Sequence, residues 1–199
     1  MNDVDDVISV AGRYYILATA SPMDDRPHVL KDGETFAIFD RRGDIRPLGV
    51  STQGVYFFDT RFLSRCSLML EGVRPLPLSS SVGGAGALLT VDLTNPDIKV
   101  DDRVTIPHGA LHISRTILVR DGRMRQRFRL TSYAPNDVEV TLALDVDADF
   151  GDLFEVRGHR RSKRGHLDVP KVGRGSVTFA YTGLDDIRRE TTATTSPPA

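Results

Sequence analysis

The sequence predicts an all-β protein, an antiparallel β-sandwich with little or no helix. Three observations carry this expectation. Short extended runs alternate with turn residues along most of the chain, and Leu111–Phe150 alternates apolar and polar residues with a period of two. Only Phe62–Leu70 has a spacing compatible with a short helix, and we assign none there.

Taken in order, residues 1–29 read as an N-terminal arm or edge strand. A β-rich stretch, Tyr14–Thr19, precedes Ser21-Pro22-Met23-Asp24-Asp25-Arg26-Pro27, whose two prolines cannot continue a central strand. Extended runs follow at Thr35–Phe39, Val55–Phe58, Leu68–Leu70 and Leu88–Leu93. Asp32-Gly33, Arg42-Gly43-Asp44, Glu71-Gly72 and Asn95-Pro96-Asp97 separate them with residues that suit turn geometry. Ser79–Gly86 (SSSVGGAG) reads as a flexible loop of small residues, and Thr191–Ala199 as a frayed Thr- and Pro-rich tail. The domain proper spans 30–192, with 193–199 a flexible tail.

Composition bounds the class. A chain of 199 residues suits one domain with tails, and that length buries about 70% of its unfolded surface. With 40% apolar and 27% charged residues it is neither disordered by composition nor a membrane protein. No apolar run approaches the roughly 20 residues of a spanning helix. The N-terminus is acidic where a signal peptide is basic, and the single Cys66 excludes an internal disulfide, so a cytoplasmic location is expected. A net charge of −1 gives no bulk attraction to nucleic acid or anionic lipid. The absence of Trp removes a favoured stacking surface for sugars and bases.

Leu111–Phe150 is the most informative stretch. Asp121-Gly122 between two β-rich runs is a strong hairpin signal, because both positions of a type I′ turn need positive φ. Arg123, Arg125, Arg127 and Arg129 then fall on one face, with Met124, Gln126, Phe128 and Leu130 on the other. If Pro135-Asn136-Asp137 forms the next turn, Leu130 faces Leu142 and Phe128 faces Leu144. Outside, Arg127 then faces Asp145, Arg125 faces Asp147 and Arg123 faces Asp149. The expectation is a three-strand meander of Leu111–Arg120, Arg123–Tyr133 and Val138–Ala148 with a charge ladder on its outer face. The four arginines are thereby assigned to cross-strand pairs, each contributing about 0.2–1 kcal/mol, rather than to a polyanion-binding stripe. Parity across the hairpin also places Arg115 on the inner face opposite Phe128. A buried Arg there needs a carboxylate partner, or the strand bulges.

Other motifs carry little chemistry. Gly83-Gly84-Ala85-Gly86 lacks the Lys and Ser/Thr of a phosphate-binding loop. His108 and His112 bracket a Gly-Ala turn without further ligands nearby, so no metal and no cofactor is expected. Arg157–His166 (RGHRRSKRGH) reads as a solvated basic loop. Asp149, Asp152 and Glu155 lie on one short segment and cannot flank a glycosidic bond unaided, so salt bridges to Arg157 and its neighbours are expected.

Several segments together resemble the N-terminal domain of bacterial and archaeal-type glycogen debranching enzymes, the amylo-α-1,6-glucosidases. They are Leu30-Lys31-Asp32-Gly33-Glu34-Thr35-Phe36, Asp40–Ile45, and Gly54–Leu63, which is similar to a Gly-x-Tyr-x-x-Asp-x-Arg-x-Leu pattern. Asp149–Gly158 (DFGDLFEVRG) is the most specific, and Tyr181–Asp185 followed by Arg188 and Thr191 completes the order.

The resemblance implies a supersandwich-like β-domain that precedes a helical (α/α)6 barrel holding the catalytic carboxylates. It implies that this chain stops before that barrel, is inactive alone and carries no catalytic residue. The implied role is a non-catalytic module packed on the barrel, supplied in cis or in trans. Asp59, Arg61, Asp152, Glu155 and Arg157 are the motif residues expected at that interface or in internal pairs. Two alternatives are kept. A free-standing α-glucan-binding module would use Tyr56 and Tyr181 as sugar-stacking rings, and a polyanion-binding protein would use the arginine ladder and the basic loop. Neither nucleic acid nor a membrane is an expected partner.

Overall fold

The computed structural model describes residues 26–46, 52–159 and 161–196, and the backbone of 7–10 and 13–16. The rings of Tyr14 and Tyr15 and most of the two-proline segment lie outside the described residues. In chain order the strands are β1 (Val7–Val10), β2 (Arg13–Ile16), β3 (His28–Asp32), β4 (Thr35–Phe39), β5 (Gly54–Phe57), β6 (Thr60–Leu63), β7 (Arg65–Leu70), β8 (Leu76–Gly83) and β9 (Leu88–Thr94). They continue as β10 (Ile98–Val100), β11 (Arg103–Ile106), β12 (Leu111–Arg120), β13 (Arg123–Ser132) and β14 (Leu142–Asp147). After the four-residue helix α1 (Leu153–Val156) come β15 (His166–Leu167), β16 (Lys171–Gly173), β17 (Ser176–Thr182) and β18 (Arg188–Thr194). The fold is all-β and antiparallel, as the alternation predicts.

The core lies between two layers. On one side β13-β12-β9-β8 form a sheet; on the other are β3-β4-β5-β6 and the pair β7-β14, joined by a bridge from Ile45 to Cys66. Alternate residues fill the space between them. Leu89, Val91 and Leu93 of β9 and Ile113, Ile117 and Val119 of β12 meet Leu30, Phe39, Leu68 and Leu70 from the facing layer. A second, smaller cluster of Ala148, Phe150 and Phe179 seats β17 and β18 beside Phe62 of β6. Among the described residues, no helix is long and apolar enough to cross a membrane.

The β12–β13 hairpin has the expected register, with Arg115 opposite Phe128 and Ile117 opposite Gln126. Asp121 (φ 51°) and Gly122 (φ 69°) both take positive φ in its turn. The third strand of the expected meander does not follow. Residues 133–141 are irregular, and β14 pairs with β7 instead: Leu142 faces Leu70, Leu144 faces Leu68 and Asp147 faces Arg65. That partner satisfies the same alternation, since Cys66, Leu68 and Leu70 point into the core while Arg65 and the buried Ser67 fall on the opposite face, across from Asp147 and Asp145. The pairings of Arg127, Arg125 and Arg123 with Asp145, Asp147 and Asp149 are therefore corrected. Asp145 pairs with Arg65 at 3.2 Å, and Asp149 with Arg61.

Phe62–Leu70, to which no helix is assigned, lies in β6 and β7, in keeping with the extended run at Leu68–Leu70. Two smaller expectations change. Ser79–Gly83, read as part of a loop, completes edge strand β8, because Ser81 and Val82 find backbone partners in Thr90 and Leu89. Thr191–Thr194, read as frayed, pair with β17 from Phe179 to Ser176. Branched Thr side chains fit a pleated surface, so a polar composition did not prevent strand pairing.

Candidate functional site

Five of the singled-out motif residues lie at one end of the molecule. The β5–β6 hairpin turns through Phe58 (φ 42°) and Asp59 (φ 61°), and Tyr56 and Arg61 face each other across it. The segment after β14 runs against this hairpin. Gly151 O accepts from Arg61 N at 2.8 Å, Thr60 bridges Asp152, and Leu153 N donates to Asp59 O at 3.0 Å. α1 starts at that point because its end is capped in both directions. The Asp152 carboxylate accepts from the N–H groups of Phe154 and Glu155, each at 2.8 Å, and Glu155 Oε2 accepts from Asp152 N at 3.1 Å.

The charges at this end are neutralised in place. Arg61 is buried and grips Asp149 with Nε and a terminal nitrogen, while its other terminal nitrogen donates to Gln53 O at 3.2 Å. Burial opposes the charge on Arg61, but the hydrogen bonds and charge of Asp149 hold its pKa above the usual value. Arg161 pairs with Asp152, and Arg164 Nε lies 3.1 Å from Glu155 while its terminal nitrogen donates to Asp149 O at 2.8 Å. The expected salt bridges of the acidic cluster are present through these neighbours. Arg157 itself stays exposed and outside them.

Two adjoining crevices open here and share Glu155 and Arg161. One, of about 260 Å³, lies between Asp152, Tyr181 and the β17–β18 turn, where Asp185 takes a two-point contact from Arg189. The other, of about 380 Å³, is lined by Arg61, Asp149, His159 and Arg164. Tyr181 stacks on Phe150 with centroids 5.7 Å apart, accepts from Gly165 N at 2.9 Å, and has Arg164 over its ring. Tyr56 is 0% exposed, stacks on Phe36 at 4.6 Å and donates to Thr52 O at 2.7 Å, so its ring offers no face to a sugar. Burial raises its hydroxyl pKa. Around the crevices stand exposed apolar side chains: Phe58 (67%) on the hairpin turn, Phe154 (66%) on α1, and Leu184 on the β17–β18 turn.

Chemically, this end is built to hold shape. Asp149, Asp152 and Glu155 each have a cationic partner, and two of them also cap the helix, so none is an open acid–base group. Among the described residues no group of three His, Cys, Asp or Glu is placed to hold a metal.

A family model described as the N-terminal domain of (some) glycogen debranching enzymes matches residues 30–199. The chain belongs to this family. No curated protein and no solved structure matches it. Within this debranching-enzyme N-terminal domain, the matched segment begins inside β3 and takes in every residue of the end just described.

Sequence reasoning missed two features of the domain. Asp149 is the partner of Arg61, although the two stand 88 positions apart. The second is a buried ionic centre away from this end. Arg115 (0% exposed) donates to Asp44 (1% exposed) at 2.6 Å, and Arg74 reaches Asp44 at 3.0 Å and Asp40 at 2.9 Å. The inward parity of Arg115 signalled the need for such a partner but not its identity.

Proposed function

We propose that this chain is the non-catalytic β-sandwich module of a debranching-type glycoside hydrolase, and that it packs on an (α/α)6 catalytic domain supplied in cis or in trans. The observation that carries this reading is the end formed by α1 and the β5–β6 and β17–β18 turns. Arg61, Asp152 and Glu155 are internally paired there, and Phe58, Phe154 and Leu184 stand exposed around them. Apolar side chains grouped around a pre-organised polar frame suit a protein interface, with aromatic anchors and a charged rim. In this reading Asp59, Arg61, Asp152 and Glu155 fix the shape of the interface, and Arg157 belongs to its exposed rim. The crevices beside Tyr181 then border the glucan cleft of the assembled enzyme.

The test mixes this chain with a separately purified (α/α)6 domain of a debranching enzyme from the same family. Binding that falls on Phe58→Asp or Phe154→Asp, with the β-sheet circular dichroism unchanged, supports the reading. Hydrolysis of an α-1,6-linked glucan by this chain alone would overturn it.

A further inference from the structure

The β13 edge carries a feature that the debranching-enzyme reading does not use. Arg123, Arg125, Arg127 and Arg129 are all exposed and, among the described residues, their side chains have no ion pair or hydrogen bond. The acidic strand expected to neutralise them is committed to β7. Next to this column, Ser114, Thr116 and Leu118 of β12 lie opposite Arg129, Arg127 and Arg125; Thr90 of β9 and Ser81 of β8 continue the Thr116 row, and Asp92 of β9, which pairs with His112, continues the Ser114 row.

β13 is also the end strand of its sheet. Tyr133 N donates to Ala110 O, just beyond the last β12–β13 pair, and so fixes which residues turn their backbone inward. By that parity the odd residues, including all four arginines, bond to β12. The N–H and C=O groups of Met124, Gln126, Phe128 and Leu130 point away from the sheet, and none has a partner among the described residues. The strand thus offers two aligned rows, one of open backbone groups and one of cations. Arginines at every second position recur about every 6.7 Å and span about 20 Å, the same repeat as alternate side chains on a neighbouring strand.

We propose that β13 is a docking edge for an extended acidic segment of a partner protein, which adds to the sheet as a fifth strand with Asp or Glu at every second residue. In that register each acidic side chain faces an arginine in a non-hydrogen-bonded pair, the closer of the two pair types, while the backbones bond through the even positions of β13. A second copy of β13 does not fit, because its arginines would face these. The column therefore blocks self-pairing of an open edge and admits an acidic strand. A flexible polyanion matches the charge but has no use for the open backbone row.

The test uses the full chain and two ten-residue peptides of identical composition, one alternating Glu with Thr and Val, the other with its Glu residues in one block. The alternating peptide is expected to bind at least about tenfold more tightly and to slow amide exchange at Met124, Gln126, Phe128 and Leu130. The double variant R125Q/R127Q should lose at least about tenfold of that affinity while keeping its circular dichroism spectrum. N-methylation of the peptide amides that face β13 should abolish binding, a control that needs no change in the protein. Equal binding of the two peptides, or no binding of either, overturns the proposal. So does polyphosphate binding that competes with the peptides and leaves the four amides unprotected, which would make the column a general polyanion surface.

Discussion

The Asp44 carboxylate accepts from Arg115, from Arg74 and from Leu68 N, and so ties β12, the β7–β8 connection and β7 to one point. Removing one member of a buried ion pair leaves the other charge unmatched, which costs about 3–5 kcal/mol. Asp44→Ala is expected to lose that much in urea unfolding. Asp40 sits beside this centre, and burial, then the Asp44 charge, raise its pKa despite Arg74. An acid with a raised folded pKa binds its proton more tightly when folded. Its contribution is full below the unfolded value of 3.8 and is lost as pH rises through the folded pKa. Relative to Asp40→Asn, the wild-type chain should therefore lose stability with rising pH across that window. Urea titrations over a pH series check the sign. Cys66 gives a third residue-scale reading: it is buried, and burial raises its thiol pKa, so a thiol reagent should modify it only as fast as the domain opens.

Pairing of β14 is the element-scale question. A double-mutant cycle on Arg65 and Asp145 should give a coupling of about 0.2–1 kcal/mol, modest because both side chains are well exposed. The same cycle on Arg127 and Asp145 should give none, and a coupling there would restore the meander. The reason the sequence pointed to the wrong neighbour is physical. A period of two fixes which face a residue occupies but not which strand lies beside it, and β7 and β13 both offer a matching alternation. The three-residue turn at Pro135 favoured the local choice, while β7 lay in the one segment compatible with a helix. By contrast, the β12–β13 register was legible because Asp121-Gly122 dictates both the turn type and the parity that follows. α1 offers another test. Asp152→Ala removes the cap and should speed amide exchange at Phe154 and Glu155, by the equivalent of about 0.5–2 kcal/mol; Asp152→Asn keeps the acceptor and should restore most of it.

For the whole molecule, one end carries exposed Phe58, Phe154 and Leu184 around internally paired charges, and one sheet edge carries four arginines without partners among the described residues; a partner is proposed at each. Phe58→Asp and Phe154→Asp should each weaken docking to an (α/α)6 domain by about 2 kcal/mol or more, as exposed aromatic anchors do. Neither change should alter the unfolding free energy by more than about 0.5 kcal/mol, since both rings are exposed. The fold class, the hairpin and its parity, the inward Arg115 and the family motifs were all set by local sequence, because alternation and turn chemistry act within a few residues. Tertiary structure alone decided that β14 crosses to β7, that Asp44 answers Arg115 from 71 positions away, and that the arginine ladder has no partner among the described residues. Those outcomes depend on which distant surfaces close the core together, and no local pattern encodes that choice.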